Sequence, residues 1–243
     1  MWLFDLATGM QSRFTFDPGA EDFPVWSTDG RQIAFSADRG APPYVHVKGL
    51  GDAGSGEPVT EPGLVSLPLD WAQTAEGQFI MFWELGSAKT GEDLMLLPLF
   101  GDRKPQPFLR TQFNESDARF SPNGKWLAYV SNESGKNEVY VRALKGSGEK
   151  WQISTDGGSS PRWRQEKELF YMAADGRLMV VPLKTGTSFA RGTPTPLFQT
   201  DSPLADYDVA ADGRRLLVNT GSNQSIPVTV VMNWLAGLNR HDP

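Results

Sequence analysis

Short runs of alternating apolar and polar residues fill this chain, and turn-forming residues punctuate them at regular intervals. Five times an aromatic residue closes one run, a turn follows, and a second run opens with apolar residues two apart. The copies read Trp26-Ser-Thr-Asp-Gly30-Arg-Gln-Ile-Ala-Phe35, Trp71 to Phe82, Phe120-Ser-Pro-Asn-Gly124-Lys-Trp-Leu-Ala-Tyr129, Trp163 to Tyr171 and Tyr207 to Val218. Counted from Gly30, Gly77, Gly124 and Gly213, the residues three and five positions on are Ile33/Phe35, Ile80/Phe82, Leu127/Tyr129 and Leu216/Val218. The fourth copy lacks the glycine, and Leu169/Tyr171 fill the same places. A spacing of two puts each pair on one face of a strand. Burying a pair contributes several kcal/mol, at about 1.5–3 kcal/mol per large apolar side chain.

The connecting turns have their own chemistry. In Ser121-Pro-Asn-Gly124, proline presets φ, asparagine suits the third place, and glycine takes the left-handed conformation that closes the hairpin. Ser27-Thr-Asp29-Gly30 and Ala210-Ala-Asp212-Gly213 are variants without the proline. The second copy, Trp71-Ala-Gln-Thr-Ala-Glu-Gly77, is two residues longer and lacks the Asp, so a looser turn is expected there.

The aromatic anchors Trp26, Trp71, Phe120, Trp163 and Tyr207 stand 45, 49, 43 and 44 residues apart. A repeat of that length made only of strands and turns predicts an all-β fold, a β-propeller with one four-stranded antiparallel blade per copy. The expected organisation is a single propeller segment over 1–243. A partial blade lies at 1–20, blades at 21–62, 63–112, 113–157 and 158–201, a last blade at 202–236 and a tail at 237–243. Third strands are expected at Tyr44–Val47, Leu94–Leu99, Val139–Ala143, Leu178–Leu183 and Val228–Asn233, and fourth strands around Val59, Phe108, Ile153 and Leu197.

The ends do not match. Trp2–Leu6 reads as a third strand and Arg13–Phe16 as a fourth, with no first and second ahead of them, while the last blade has three strands. In one reading the chain is the C-terminal fragment of a longer propeller, Met1 being internal or miscalled. In the other, the 13–16 strand completes the last blade and closes a five-bladed ring. The fragment is favoured, because closure leaves the 2–6 strand without a partner.

A hydrophobic content of 39%, with 8 Trp and 14 Phe, supplies a stacked core, and 25 Gly and 18 Pro suit many turns. The net charge of −6, with no run of Lys or Arg longer than two, argues against a nucleic-acid partner. Cysteine is absent, which excludes disulfides, thiolate metal ligands and a cysteine nucleophile, and leaves the redox compartment open. The longest apolar stretch, Ile226–Leu238, falls short of the roughly 20 residues a membrane span needs.

The core at Trp26–Phe35 resembles the TolB-like, or WD40-like (PD40), propeller repeat of bacteria. Further stretches extend the likeness: Leu99-Phe-Gly-Asp-Arg-Lys-Pro105, Val130-Ser-Asn-Glu-Ser-Gly135, Glu138-Val-Tyr-Val-Arg142, Ser160-Pro-Arg-Trp-Arg164, Pro196-Leu-Phe-Gln-Thr200 and Thr229-Val-Val-Met-Asn-Trp-Leu-Ala-Gly237. Together they are similar to the C-terminal propeller of serine/threonine protein kinases from Acidobacteria-type genomes. The resemblance implies an N-terminal kinase or DNA-binding regulator, often a membrane span, and then a sensor or interaction propeller. With a span the propeller sits outside the cytoplasm; without one it stays inside. The kinase signatures His-Arg-Asp, Asp-Phe-Gly and Val-Ala-Ile-Lys are not in this sequence.

Candidate chemistry is sparse. Gly49-Leu-Gly-Asp-Ala-Gly54 matches a dinucleotide fingerprint, yet Ser55-Gly-Glu-Pro58 follows and no helix can begin there, so it reads as a loop. His46 and His241 are the two histidines, and no Gly-x-Ser-x-Gly elbow accompanies them. They are too few for a zinc site. Asp29 and Asp212 read as turn residues that bind nearby backbone N–H groups. Asn114, Asn132 and Asn223 head glycosylation sequons that are most simply loops.

The expectation is therefore no catalytic residue, cofactor or metal in this chain. The best candidate surface is the mouth of the central channel, where Arg119, Arg162 and Arg164, with Trp126, meet an acidic protein, peptide or small ligand. The competing reading solvates the arginines or pairs them with Glu166 and Glu168.

Overall fold

The computed structural model describes residues 1–5, 7–85, 90–145, 148–186, 188–199, 206–210, 215–219 and 228–232. Every regular element in it is a strand. Two compact units divide the chain, Met1–Ser116 and Asp117–Pro243.

In the first unit, β1 (Trp2–Phe4) and β2 (Gln11–Arg13) form a hairpin. Strands β3 (Glu21–Trp26), β4 (Gln32–Ala37), β5 (Tyr44–Gly49) and β6 (Glu57–Pro58) make an antiparallel sheet in chain order. So do β7 (Ser66–Thr74), β8 (Gly77–Leu85), β9 (Glu92–Pro98) and β10 (Gln106–Leu109). β11 (Glu115–Phe120) crosses the boundary between the units and pairs in the order β11–β12–β13–β14 with β12 (Trp126–Ser131), β13 (Glu138–Ala143) and β14 (Lys150–Gln152).

In the second unit, β15 (Gly158–Arg164), β16 (Glu168–Ala173) and the long β17 (Arg177–Thr185) follow. β17 pairs on its far side with β18 (Phe189–Arg191) and β19 (Thr195–Gln199) in succession. The last sheet is β20 (Asp206–Val209), β21 (Arg215–Asn219) and β22 (Val228–Met232).

Second strands are buried on both faces. Ile33, Phe35, Ile80, Phe82, Leu127, Tyr129, Leu169, Tyr171, Leu216 and Val218 are all in the core. Each pair packs back onto the alternate residues of the second strand before it. Ala34 meets Ile80 and Phe82, Ala128 and Val130 meet Leu169 and Tyr171, and Phe170 and Met172 meet Leu216 and Val218. Radial stacking of sheets follows from this pattern, since each face stays half-dry until the next sheet covers it.

Two turns share one hydrogen-bond pattern. Ser27 Oγ donates to Asp29 Oδ1 (2.6 Å) and accepts from Gln32 N–H (2.9 Å), while Asp29 Oδ1 accepts from Arg31 N–H (3.0 Å). Ser121 and Asn123 repeat it with Lys125 and Trp126 (2.7, 3.0 and 3.0 Å). Gly30 and Gly124 supply the left-handed φ of 67° and 62°. These bonds, Ser27 first and the Arg31 N–H second, hold the Asp29 carboxyl below the usual carboxylate range.

Four local expectations are corrected. The second copy's turn is tighter, not looser: Thr74 pairs with Gly77, and the two extra residues lengthen β7 and β8. Gly77 is required there because the Phe100 ring stands 2.5 Å from where a Cβ would be. β1 ends at Phe4, because Asp5 Oδ1 accepts the N–H groups of Ala7 and Thr8 and turns the chain. β2 occupies 11–13 rather than 13–16, since Phe14 bends inward and is buried. β6 stops just short of Val59. In the fourth copy Gln165 takes the left-handed φ, at 51°, that glycine takes in the first and third. The turn of the fifth copy, with Asp212 and Gly213, lies outside the described residues, as do His241 and the 237–243 tail.

A latch recurs where the fourth strand ends. Val59 N–H and Thr60 N–H donate to Val45 O (2.9 and 3.4 Å), and Ile153 and Ser154 do the same to Val139 O (2.8 and 3.5 Å). The Thr60 and Ser154 hydroxyls accept the N–H groups of Val45 and Val139 (2.9 and 2.8 Å). Phe14 and Thr15 donate to Met1 O (3.1 and 3.5 Å) in the same register. This places β1 as a third strand and β2 as a fourth.

Candidate recognition surface

The first strand of a sheet carries a bulge three residues ahead of its aromatic anchor. Phe23, Asp117 and Ser160 hold φ of 56°, 49° and 52°, ahead of Trp26, Phe120 and Trp163. The pairing register slips at this place in β3 and β15, between Asp22 and Val25 and between Ser159 and Arg162. A left-handed conformation at a non-glycine residue costs of order 1–3 kcal/mol and persists only where the surroundings fix it. In the second unit they do. Ser160 N–H donates to Asp117 Oδ2 (3.3 Å), and Ser160 O accepts from the Tyr207 hydroxyl (2.7 Å).

Two of the candidate arginines flank these bulges in equivalent positions. Arg119 donates through one NH group to Ala118 O (2.9 Å), and Arg162 does so to Pro161 O (3.0 Å). Each guanidinium curls onto the carbonyl before it, so the two share one orientation, one repeat apart. The Trp163 indole N–H donates to Arg119 O (3.0 Å). Arg162 lies 5.6 Å from the Tyr207 ring centroid and 3.9 Å from Asp208. Each arginine position is thereby tied to the anchor of the next sheet, and a cation–π contact of this kind is worth about 0.5–2 kcal/mol.

Arg164 and Trp126 do not join them. Arg164 Nε meets Glu168 Oε2 at 2.6 Å across the β15–β16 hairpin. Burial raises the Glu168 carboxyl and the Arg164 charge partly offsets it. Trp126 is buried against Trp151 and Phe189, ring centroids 5.5 and 5.2 Å away, inside the sheet's core.

Sequence reasoning missed an open cleft of about 350 Å³ in the second unit, lined by Thr155, Asp156, Tyr171, Asp175, Arg177 and Pro194. Its Asp175–Arg177 pair (2.6 Å) sits on the turn Ala173-Ala-Asp-Gly-Arg177. The same five residue types recur at 210–214, the signal that would have drawn attention to it.

His46 is buried mid-strand, stacked on Phe35 (5.8 Å), with Nδ1 3.0 Å from Tyr44 O. Burial, more than the nearby Arg39 charge, pushes the imidazole below its ordinary value, against the pull of the Tyr44 carbonyl. In the unfolded chain the ring protonates near its usual 6.5 or so, and in the folded chain only at lower pH. The stability it contributes is present above that unfolded value and declines as pH falls toward the folded one. Urea midpoints are expected to drop between pH 7.5 and 5.5, and His46→Gln is expected to flatten that slope. An equal slope in both proteins would contradict the assignment.

No protein-family profile and no curated protein sequence matches the chain. Solved structures do. TolB from Acinetobacter baumannii superposes with a TM-score of 0.74 at 15% identity, over 96% of this chain and 56% of that one. The β-propeller domain of Cps50 (Swd1) from Myceliophteria thermophila gives 0.61 at 12%, over 95% and 74%. A puromycin-hydrolysing peptidase from Mycobacterium tuberculosis gives 0.61 at 19%, over 92% and 40%. The chain thus spans little more than half of that TolB and less than half of the peptidase. The fold is an all-β propeller of the kind seen in TolB and WD40 domains. Among the described residues no helix is long and apolar enough to cross a membrane.

Proposed function

We propose that this chain is a non-catalytic recognition module of a larger bacterial signalling protein, a serine/threonine kinase. The observation that carries the reading is the rigid row of first strands in the second unit, where Arg119 and Arg162 are held alike one repeat apart. Two guanidiniums in fixed, parallel settings suit the carboxylates of an acidic peptide segment, because charge-assisted hydrogen bonds reward geometry already in place. The kinase parent rests on the resemblance of stretches such as Glu138–Arg142 and Ser160–Arg164 to kinase-linked propellers.

Fluorescence anisotropy with a labelled Glu-rich peptide tests the module. Saturable binding is expected, weakening with salt. Arg119→Ser with Arg162→Ser should reduce affinity by roughly tenfold or more, at about 1.5–3 kcal/mol per hydrogen bond to a charged group. Binding that is absent, or unmoved by the double variant, would refute this surface.

The peptidase among the structural neighbours favours a second reading, the substrate-gating propeller of a prolyl-oligopeptidase-like hydrolase. It requires an α/β-hydrolase domain encoded beyond residue 243. A free-standing TolB-like envelope protein would instead carry a secretion signal. The neighbouring coding sequence separates the three.

A further inference from the structure

The sheet that opens the first unit is half a sheet. β1 holds the third-strand register set by Val45 and Val139, and among the described residues it pairs only with β2. In the complete sheets a second strand occupies its other edge: Ala34 and Ser36 pair with Val47 and Val45, and Ala128 and Val130 with Val141 and Val139. The consequence shows at Trp26. Its equivalent Trp71 is 4% exposed, packed with Val25, Ala34, Val45 and Val47 of the preceding sheet, whereas Trp26 is 49% exposed. Leu3, with Met1 and Phe14, already packs against Ile33 and Phe35, as the third and fourth strands should. What Trp26 lacks is the cover that first and second strands provide.

We infer that this vacant half is filled by a β-hairpin of the repeat's own first-and-second-strand type, on the polypeptide that leads into β1. Its inner edge hydrogen-bonds to β1, and a small residue equivalent to Ala34 stands beside Leu3 and over Trp26. A second copy cannot serve. Antiparallel β1–β1 pairing needs a twofold axis normal to the sheet, and that axis lays the copy's β3–β6 onto the space β3–β6 already fills. The hairpin also removes an exposed edge, which sheet proteins otherwise must protect. The inference deepens the reading of the chain as part of a larger protein.

The test is hydroxyl-radical oxidation read by mass spectrometry, on residues 1–243 and on the whole gene product. Trp26 should oxidise roughly tenfold more slowly in the latter, the ratio of the Trp26 and Trp71 exposures, with Trp71 alike in both. Equal Trp26 rates, or a gene encoding no hairpin ahead of residue 1, overturn the proposal. So does protection that grows with the concentration of residues 1–243 alone, which would assign the face to a second copy. Peptide binding and kinase identity do not enter this readout, so its failure leaves the recognition surface standing.

Discussion

Phe170→Ala is expected to cost about 3–5 kcal/mol of stability, the range for truncating a buried aromatic core residue. Phe170 is fully buried on β16, and with Met172, Leu178 and Val180 it packs against Tyr207, Leu216 and Val218 of the last sheet. The truncation therefore opens a cavity where two sheets meet, and neither can close it without leaving its own pairing register. Against a typical total of about 5–15 kcal/mol the loss is large. Urea unfolding should show a fall in midpoint of that size, while Phe4→Ala, at an exposed position on β1, stays within about 0.5 kcal/mol. Comparable costs for the two variants would mean that the sheets do not stack as described.

The second large effect is expected at Glu138. Its carboxylate is fully buried at the start of β13, where it accepts the Ser154 hydroxyl and Gly157 N–H (2.9 Å), with Lys136 Nζ 3.6 Å away. Glu138→Ala strands two buried donors at once, at about 1–3 kcal/mol for each lost partner, so a loss near 2–4 kcal/mol is expected. Glu138→Gln keeps one acceptor and should cost about half as much. Lys136→Ala removes only a half-exposed partner and should cost under about 1 kcal/mol. That ordering, read from denaturation midpoints, separates a buried hydrogen-bond hub from a surface ion pair. Equal losses for Lys136→Ala and Glu138→Ala would overturn the hub.

Much of the architecture was legible because burial repeats. Spacing-two pairs such as Ile80/Phe82 announce a strand face, and Ser-x-Asx-Gly announces a turn, since the residues that satisfy each are local in sequence. The bulges at Phe23, Asp117 and Ser160 were not legible, because a left-handed φ at a non-glycine residue leaves no mark in composition. Nor were the roles of the arginines. What distinguishes Arg162 from Arg164 is a ring 45 residues later, at Tyr207, set against a carboxylate four residues on, at Glu168. Trp126 looked like a surface candidate from its place after a turn, yet its neighbours Trp151 and Phe189 arrive from distant strands. Trp26 read as one anchor among five; its exposure depends on the half-sheet that precedes it.

The surface itself can be watched directly through the arginine side-chain Nε–Hε resonances during titration with the Glu-rich peptide. Arg119 and Arg162 should shift together along one binding isotherm, with Arg164 nearly still in its pair with Glu168. Shifts confined to other residues, or separate isotherms for Arg119 and Arg162, would contradict a recognition row built by the repeat.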